Sequence, residues 1–117
     1  MSLPLTPDVL RSAYNYLVTT APFNRWNLPD GDDVVFHVFA SPAIAGEYRR
    51  EGLSTHRIRV SRRVVGTTGT LMWIMAHEMI HLHEEHSGAV GRGQHSAAFR
   101  KWAAQVCKIH GFDVKMF

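Results

Sequence analysis

Residues 70–88, TLMWIMAHEMIHLHEEHSG, decide how the rest of the chain is read. Leu71, Met72, Ile74, Met75, Met79, Ile80 and Leu82 recur at helical spacing, and Gly88 is a natural terminator. The pattern predicts a helix from about Thr68 or Thr70 to His86. Within it, His77-Glu78-Met79-Ile80-His81 forms an HExxH motif. Residues four apart on a helix lie about 40° apart around the axis and about 6 Å along it. Both imidazoles can therefore reach one cation from the same face. Glu78 sits about 100° round from His77, beside the ligands rather than among them, where its carboxylate can reach a water on that cation. This is the pattern of a metal-assisted hydrolase.

A catalytic zinc takes three protein ligands and keeps a fourth position for water. The metzincin spacing would place a third histidine six residues after His81 and a glycine three before it. Ser87 and Glu84 occupy those positions, so that layout fails. A glutamate from a following helix fails too, because Asp113 is the only acidic residue beyond Glu85. His83 lies about 200° round from His81, and His86 about 140° round and more than about 7 Å further along, so neither converges while the helix continues. His95 follows the glycine-rich stretch SGAVGRGQ, a flexible connection, and precedes the last helix. A turn there would bring it back over the motif. His110, at the far end of that last helix, is the second candidate. His83, Glu84, Glu85 and His86 then read as the solvated end of the helix.

Working outward, TPDVLRSAYNYLVTT opens on Thr6 as N-cap, Pro7 at the first helical position and Asp8 in the first turn. Val34–Ala40, VVFHVFA, is β-branched and aromatic and reads as a strand. EYRRE is a candidate short strand, and His56–Ser61 alternates apolar and polar residues. Phe99, Trp102, Ala103 and Val106 mark a last helix from about Ser96 to Ile109, ended by Gly111. The expected fold is α+β in one domain spanning 1–117: an N-terminal helix, a small antiparallel sheet of two or three strands, the motif helix and a C-terminal helix.

Composition narrows the function classes. At 117 residues, 45% hydrophobic and 20% charged, the chain is ordinary for one globular domain. No apolar run is long enough to span a membrane, and the N-terminus lacks the pattern of a signal peptide. A single cysteine, Cys107, excludes an internal disulfide and a four-cysteine zinc ribbon. It reads as a small buried hydrophobe, and a reducing, cytoplasmic setting is expected. The net charge of +3 is mild, but Arg49, Arg50, Arg57, Arg59, Arg62 and Arg63 cluster. They read either as the solvated outer face of a sheet or as a patch for nucleic acid or an acidic partner. Trp26, Trp73, Trp102 and the Met72, Met75, Met79 stripe read as core. No functional role is expected for His37 or His56.

The segments HEMIHLHEEH and GQHSAAFRKW resemble the SprT-like zinc metallopeptidases through His77, Glu78, His81, His95 and, four residues on, Phe99. Upstream, AGEYRR…HRIRVS and the initial AYNYL also fit that family's order of elements. The resemblance implies a zincin-like core, a zinc ion on His77, His81 and His95, Glu78 as general base, and a protein or peptide substrate. It departs from many family members in having Ser96 after the third histidine instead of glycine. Larger relatives carry an additional zinc module or DNA-binding segment, and only the catalytic core is expected to carry over. Tyr48, Arg100 and His110 are the candidates for stabilising an oxyanion. Two other classes stay open: a zinc-stabilised nucleic-acid-binding module, and a metal-dependent hydrolase of a non-peptide bond.

Overall fold

A computed structural model describes residues 4–88 and 95–117. Helix α1 spans Pro7–Val18, and strands β1, β2 and β3 span Val34–Phe39, Gly46–Glu51 and Thr55–Ser61. Helix α2 spans Thr68–Ser87 and α3 spans Ala97–His110. Most of the predicted glycine-rich connection, residues 89–94, lies outside the described residues.

The helix ends fall where side chains satisfy the backbone groups a helix leaves unpaired. Thr6 Oγ1 accepts from the Val9 amide at 3.2 Å. Thr67 Oγ1 accepts from Thr70 at 3.1 Å, and Ser96 Oγ accepts from Phe99 at 3.1 Å. At the other ends, Gly88 and Gly111 take left-handed backbone with φ of 76° and 78°, which glycine adopts without a Cβ clash.

The class α+β is as expected, but the sheet is mixed rather than antiparallel. Its order is β1-β3-β2, with β2 antiparallel and β1 parallel to β3. Chain neighbours β1 and β2 are therefore not partners. The connection between them crosses the end of β3 and is pinned there by Ser61, which is fully buried. Ser61 Oγ accepts from the Ser41 amide at 2.9 Å and donates to the Ser41 carbonyl at 2.6 Å. The Ser61 amide donates to Ala45 at 2.8 Å. β2 is thereby laid at the sheet's edge, directly against α2.

His56, Ile58 and Val60 turn inward from β3, and the two apolar ones meet Leu10, Tyr14, Leu17, Ile74, Met75, Met79, Ile80 and Leu82 in one core. Trp26, Trp73 and Trp102 pack against it. Cys107 is buried at 6% exposure, as its apolar surroundings suggested. On the outer face, Arg59 Nε lies 3.3 Å from Glu47 and Arg57 Nε 3.1 Å from Glu51. Arg49 approaches Glu47 at 3.8 Å. Arg49, Arg57 and Arg59 thus sit beside carboxylates, the last two in half-buried pairs at the sheet's outer face. Among the described residues no helix is long and apolar enough to cross a membrane.

Candidate metal centre

His77 and His81 project from one face of α2, one turn apart, and His95 arrives from the residue pair just before α3. One ligand-type atom from each of the three lies within 4.8 Å of the other two. The ring centroids are 5.1 Å apart for His77–His81 and His77–His95, and 5.5 Å for His81–His95. Phe99, 1% exposed, is the common floor. Its ring stacks on His95 and His81 at 4.4 Å and meets His77 at 5.1 Å.

The electrostatics suit a cation. Burial, reinforced by His81 and His95, pushes the pKa of His77 down to about 3. Burial also lowers that of His81, against the opposing pull of Glu84. Both shifts favour the neutral ring, which has a lone pair to offer. Nδ1 of His77 is buried without a hydrogen-bond partner, and a buried polar atom left unpaired is costly. Three imidazoles in mutual reach, one with an orphaned nitrogen, fit a zinc ion, which favours nitrogen ligands and tolerates three plus water.

Glu78 is outside that cluster, as the helix geometry required. It is 5% exposed and lies between α2 and β2. Burial first, then the charge of Glu47, raises its pKa to about 8, while the Tyr48 backbone N–H pulls the other way. The approach is close because Gly46 has no side chain. A Cβ there would sit 3.0 Å from Glu78 Oε2 and 2.8 Å from Ile74 Cγ2.

A model of the SprT-like family matches residues 24–117. The chain belongs to the SprT-like family. No curated protein matches it significantly. The matched span takes in the whole of this SprT-like site, from the edge strand β2 to α3.

The structure also sorts the other histidines. His110 is held elsewhere, with Nε2 2.8 Å from the Ala21 carbonyl and 3.2 Å from Thr20 Oγ1. His86 reaches the Asn27 carbonyl at 3.0 Å. The expectation that His83 is solvated is overturned: it is 9% exposed, stacked on Trp26 at 4.1 Å and against Trp102 at 4.3 Å. Glu84 is likewise buried, at 7% exposure. Of the candidates for an oxyanion partner, the Tyr48 hydroxyl is committed to His56 Nδ1 at 2.7 Å. His110 is committed to Thr20 and Ala21 just after α1, and Arg100 is exposed.

The residues that sequence reading passed over are Glu84 and Ser96. Glu84 Oε1 lies 3.2 Å from His81 Nδ1, and Ser96 Oγ donates to Glu84 Oε2 at 2.7 Å. The signal available was the departure from glycine at position 96, which marked a residue with a hydroxyl to place.

Proposed function

We propose that this chain is a zinc-dependent metallopeptidase that hydrolyses peptide bonds in protein or peptide substrates, with His77, His81 and His95 as the metal ligands and Glu78 as the general base. The observation that carries the reading is the convergence of the three imidazoles beside a buried glutamate that stands apart from them. Family membership supports the same class of chemistry.

Zinc bound there supplies Lewis-acid polarisation of the scissile carbonyl and makes water a competent nucleophile near neutral pH. The protein's own residues divide the remaining work. Glu78 takes the proton from the attacking water and delivers it to the leaving amine, the shuttle role of a general base that becomes a general acid. Its carboxylate is aimed by the Tyr48 backbone N–H and by the close approach that Gly46 permits. Among the described residues, β2 pairs only with β3, so its other edge is free to take an extended substrate as an added strand next to α2. Three of the clustered arginines, Arg49, Arg57 and Arg59, each have a glutamate within ion-pair distance, which offsets part of the charge a nucleic acid would meet.

Metal analysis of the purified protein, paired with digestion of casein, tests the reading. Wild type should carry about one zinc per chain and cleave; Glu78→Gln should keep the zinc and lose cleavage by a factor of about 100 or more. Undiminished proteolysis in the variant at normal zinc content would refute the assignment of Glu78.

A further inference from the structure

The HExxH helix and the third histidine belong to separate elements, joined through residues 87–96, and something must hold the two in register. One side chain spans them. Glu84 lies three residues after His81 on α2, and its two carboxylate oxygens face in different directions. Oε1 is 3.2 Å from His81 Nδ1. Oε2 accepts from Ser96 Oγ at 2.7 Å, and that same oxygen of Ser96 accepts from the Phe99 amide at 3.1 Å as the N-cap of α3. His95 is the residue immediately before Ser96. Glu84 and Ser96 are 7% and 9% exposed, so water competes poorly for these bonds.

We propose that Glu84 is the positioning residue of the metal centre, tying His81 on α2 to the start of α3 and so to His95. The inference rests on the zinc reading above. Its chemistry follows from what each group can do. A carboxylate accepts and does not donate, so the bond at 3.2 Å places the His81 proton on Nδ1 and leaves the Nε2 lone pair for the cation. The other oxygen uses the hydroxyl proton of Ser96, while the serine lone pairs remain to cap the helix. Replacing Ser96 by glycine would delete both functions at once. Carboxylates in this relation to a ligating histidine fix the ring's tautomer and orientation, and their loss weakens metal binding. Here the same carboxylate also sets where the third ligand sits, so ligand orientation and ligand delivery depend on one residue.

The experiment measures zinc dissociation constants by competition with a chromogenic chelator, using the full chain. It also reads the His81 tautomer from imidazole nitrogen shifts in the metal-free protein. Glu84→Ala should raise the zinc Kd by about 10- to 100-fold and let the His81 proton redistribute toward Nε2. Glu84→Gln is close to isosteric. Its amide oxygen can accept from His81 and its amide N–H can donate to Ser96, so it should recover most of the affinity and the Nδ1–H tautomer. Ser96→Ala should weaken zinc binding while leaving the tautomer in place. In a His95→Ala background the further loss from Glu84→Ala should shrink, because one of its two tasks is already gone. A Glu84→Ala protein with zinc affinity within about twofold of wild type, or with an unmoved tautomer, overturns the proposal. Wild type that binds no zinc overturns the metal reading itself, an outcome told apart because it appears before any variant is made.

Discussion

Glu78→Gln should stabilise the metal-free protein, and by an amount that depends on pH. The carboxyl is 5% exposed, and burial, helped by the charge of Glu47, lifts its pKa from 4.5 to about 8. The folded-state value is raised, so between those limits the folded protein holds a proton that the unfolded chain releases. Stability is therefore lost as pH rises through the window, and the loss is complete above about pH 8. A shift of this size corresponds to about 5 kcal/mol at 1.36 kcal/mol per unit. Glutamine is the permanent analogue of the neutral acid: its carbonyl oxygen keeps the Tyr48 N–H and it carries no charge at any pH. The two proteins should melt together near pH 4.5 and diverge until, above pH 8, the variant is more stable by about 5 kcal/mol. At about 4 °C per kcal/mol for a domain of this size, that is a gap of about 20 °C. The assay is thermal unfolding by circular dichroism of chelator-treated protein from pH 4.5 to 9. Titrating groups that do not interact with Glu78 are common to both proteins and cancel in the difference, leaving Glu47 as the neighbour whose own titration also shifts. Adding zinc should narrow the gap, since a dication at the histidines favours the ionised carboxylate. Melting curves that stay parallel across this range would show that Glu78 is not held neutral by burial. The reading of a protein that retains a destabilising carboxylate for its chemistry would then fall.

Gly46→Ala should cost about 1–3 kcal/mol and also slow hydrolysis, because the new Cβ meets both Ile74 at 2.8 Å and Glu78 Oε2 at 3.0 Å; denaturant unfolding and a protease assay read the two effects separately. His83→Ala should leave zinc content unchanged yet lower stability by about 1–3 kcal/mol through the lost stacking on Trp26 and Trp102. His95→Ala should do the reverse, shedding zinc with little change in the metal-free melt; equal zinc loss in the two variants would contradict the ligand assignment. Ser61→Ala should destabilise by about 1–3 kcal/mol, since the fully buried hydroxyl is the tie that holds the Ser41 backbone as the chain crosses β3.

What sequence pattern could reach was local. Thr6, Thr67 and Ser96 act as caps within three residues of their partners, and Gly88 and Gly111 end helices by their own backbone freedom, so α1, α2 and α3 fall within a residue or two of expectation. The spacing of His77 and His81 is likewise a property of any helix, and His95 followed from elimination along a short stretch. The sheet order was out of reach for a different reason. Each strand shows its own alternation, but nothing in VVFHVFA or EYRRE states that they are separated by β3. That depends on Ser61 meeting Ser41, twenty residues apart.

The burial of His83 and Glu84 escaped for a reason specific to α2. Reading a helix by one apolar stripe assumes one buried face and one wet face. This helix has β2, α1 and α3 packed around it, and its buried positions include 74, 75, 76, 78, 79, 80, 82, 83 and 84, which go most of the way round. Polar residues among them must then be paired, and the type of residue does not name its partner. Ser96 makes the same point from the other side. As an N-cap it accepts from Phe99 and would look identical in sequence whether or not its hydroxyl proton were used. That proton is the one group on the cap free to report on tertiary structure, and it goes to Glu84, whose other oxygen holds a metal-ligand candidate. The serine at position 96 thus carries information that local capping rules cannot extract, because the information lies in the donor those rules leave unassigned.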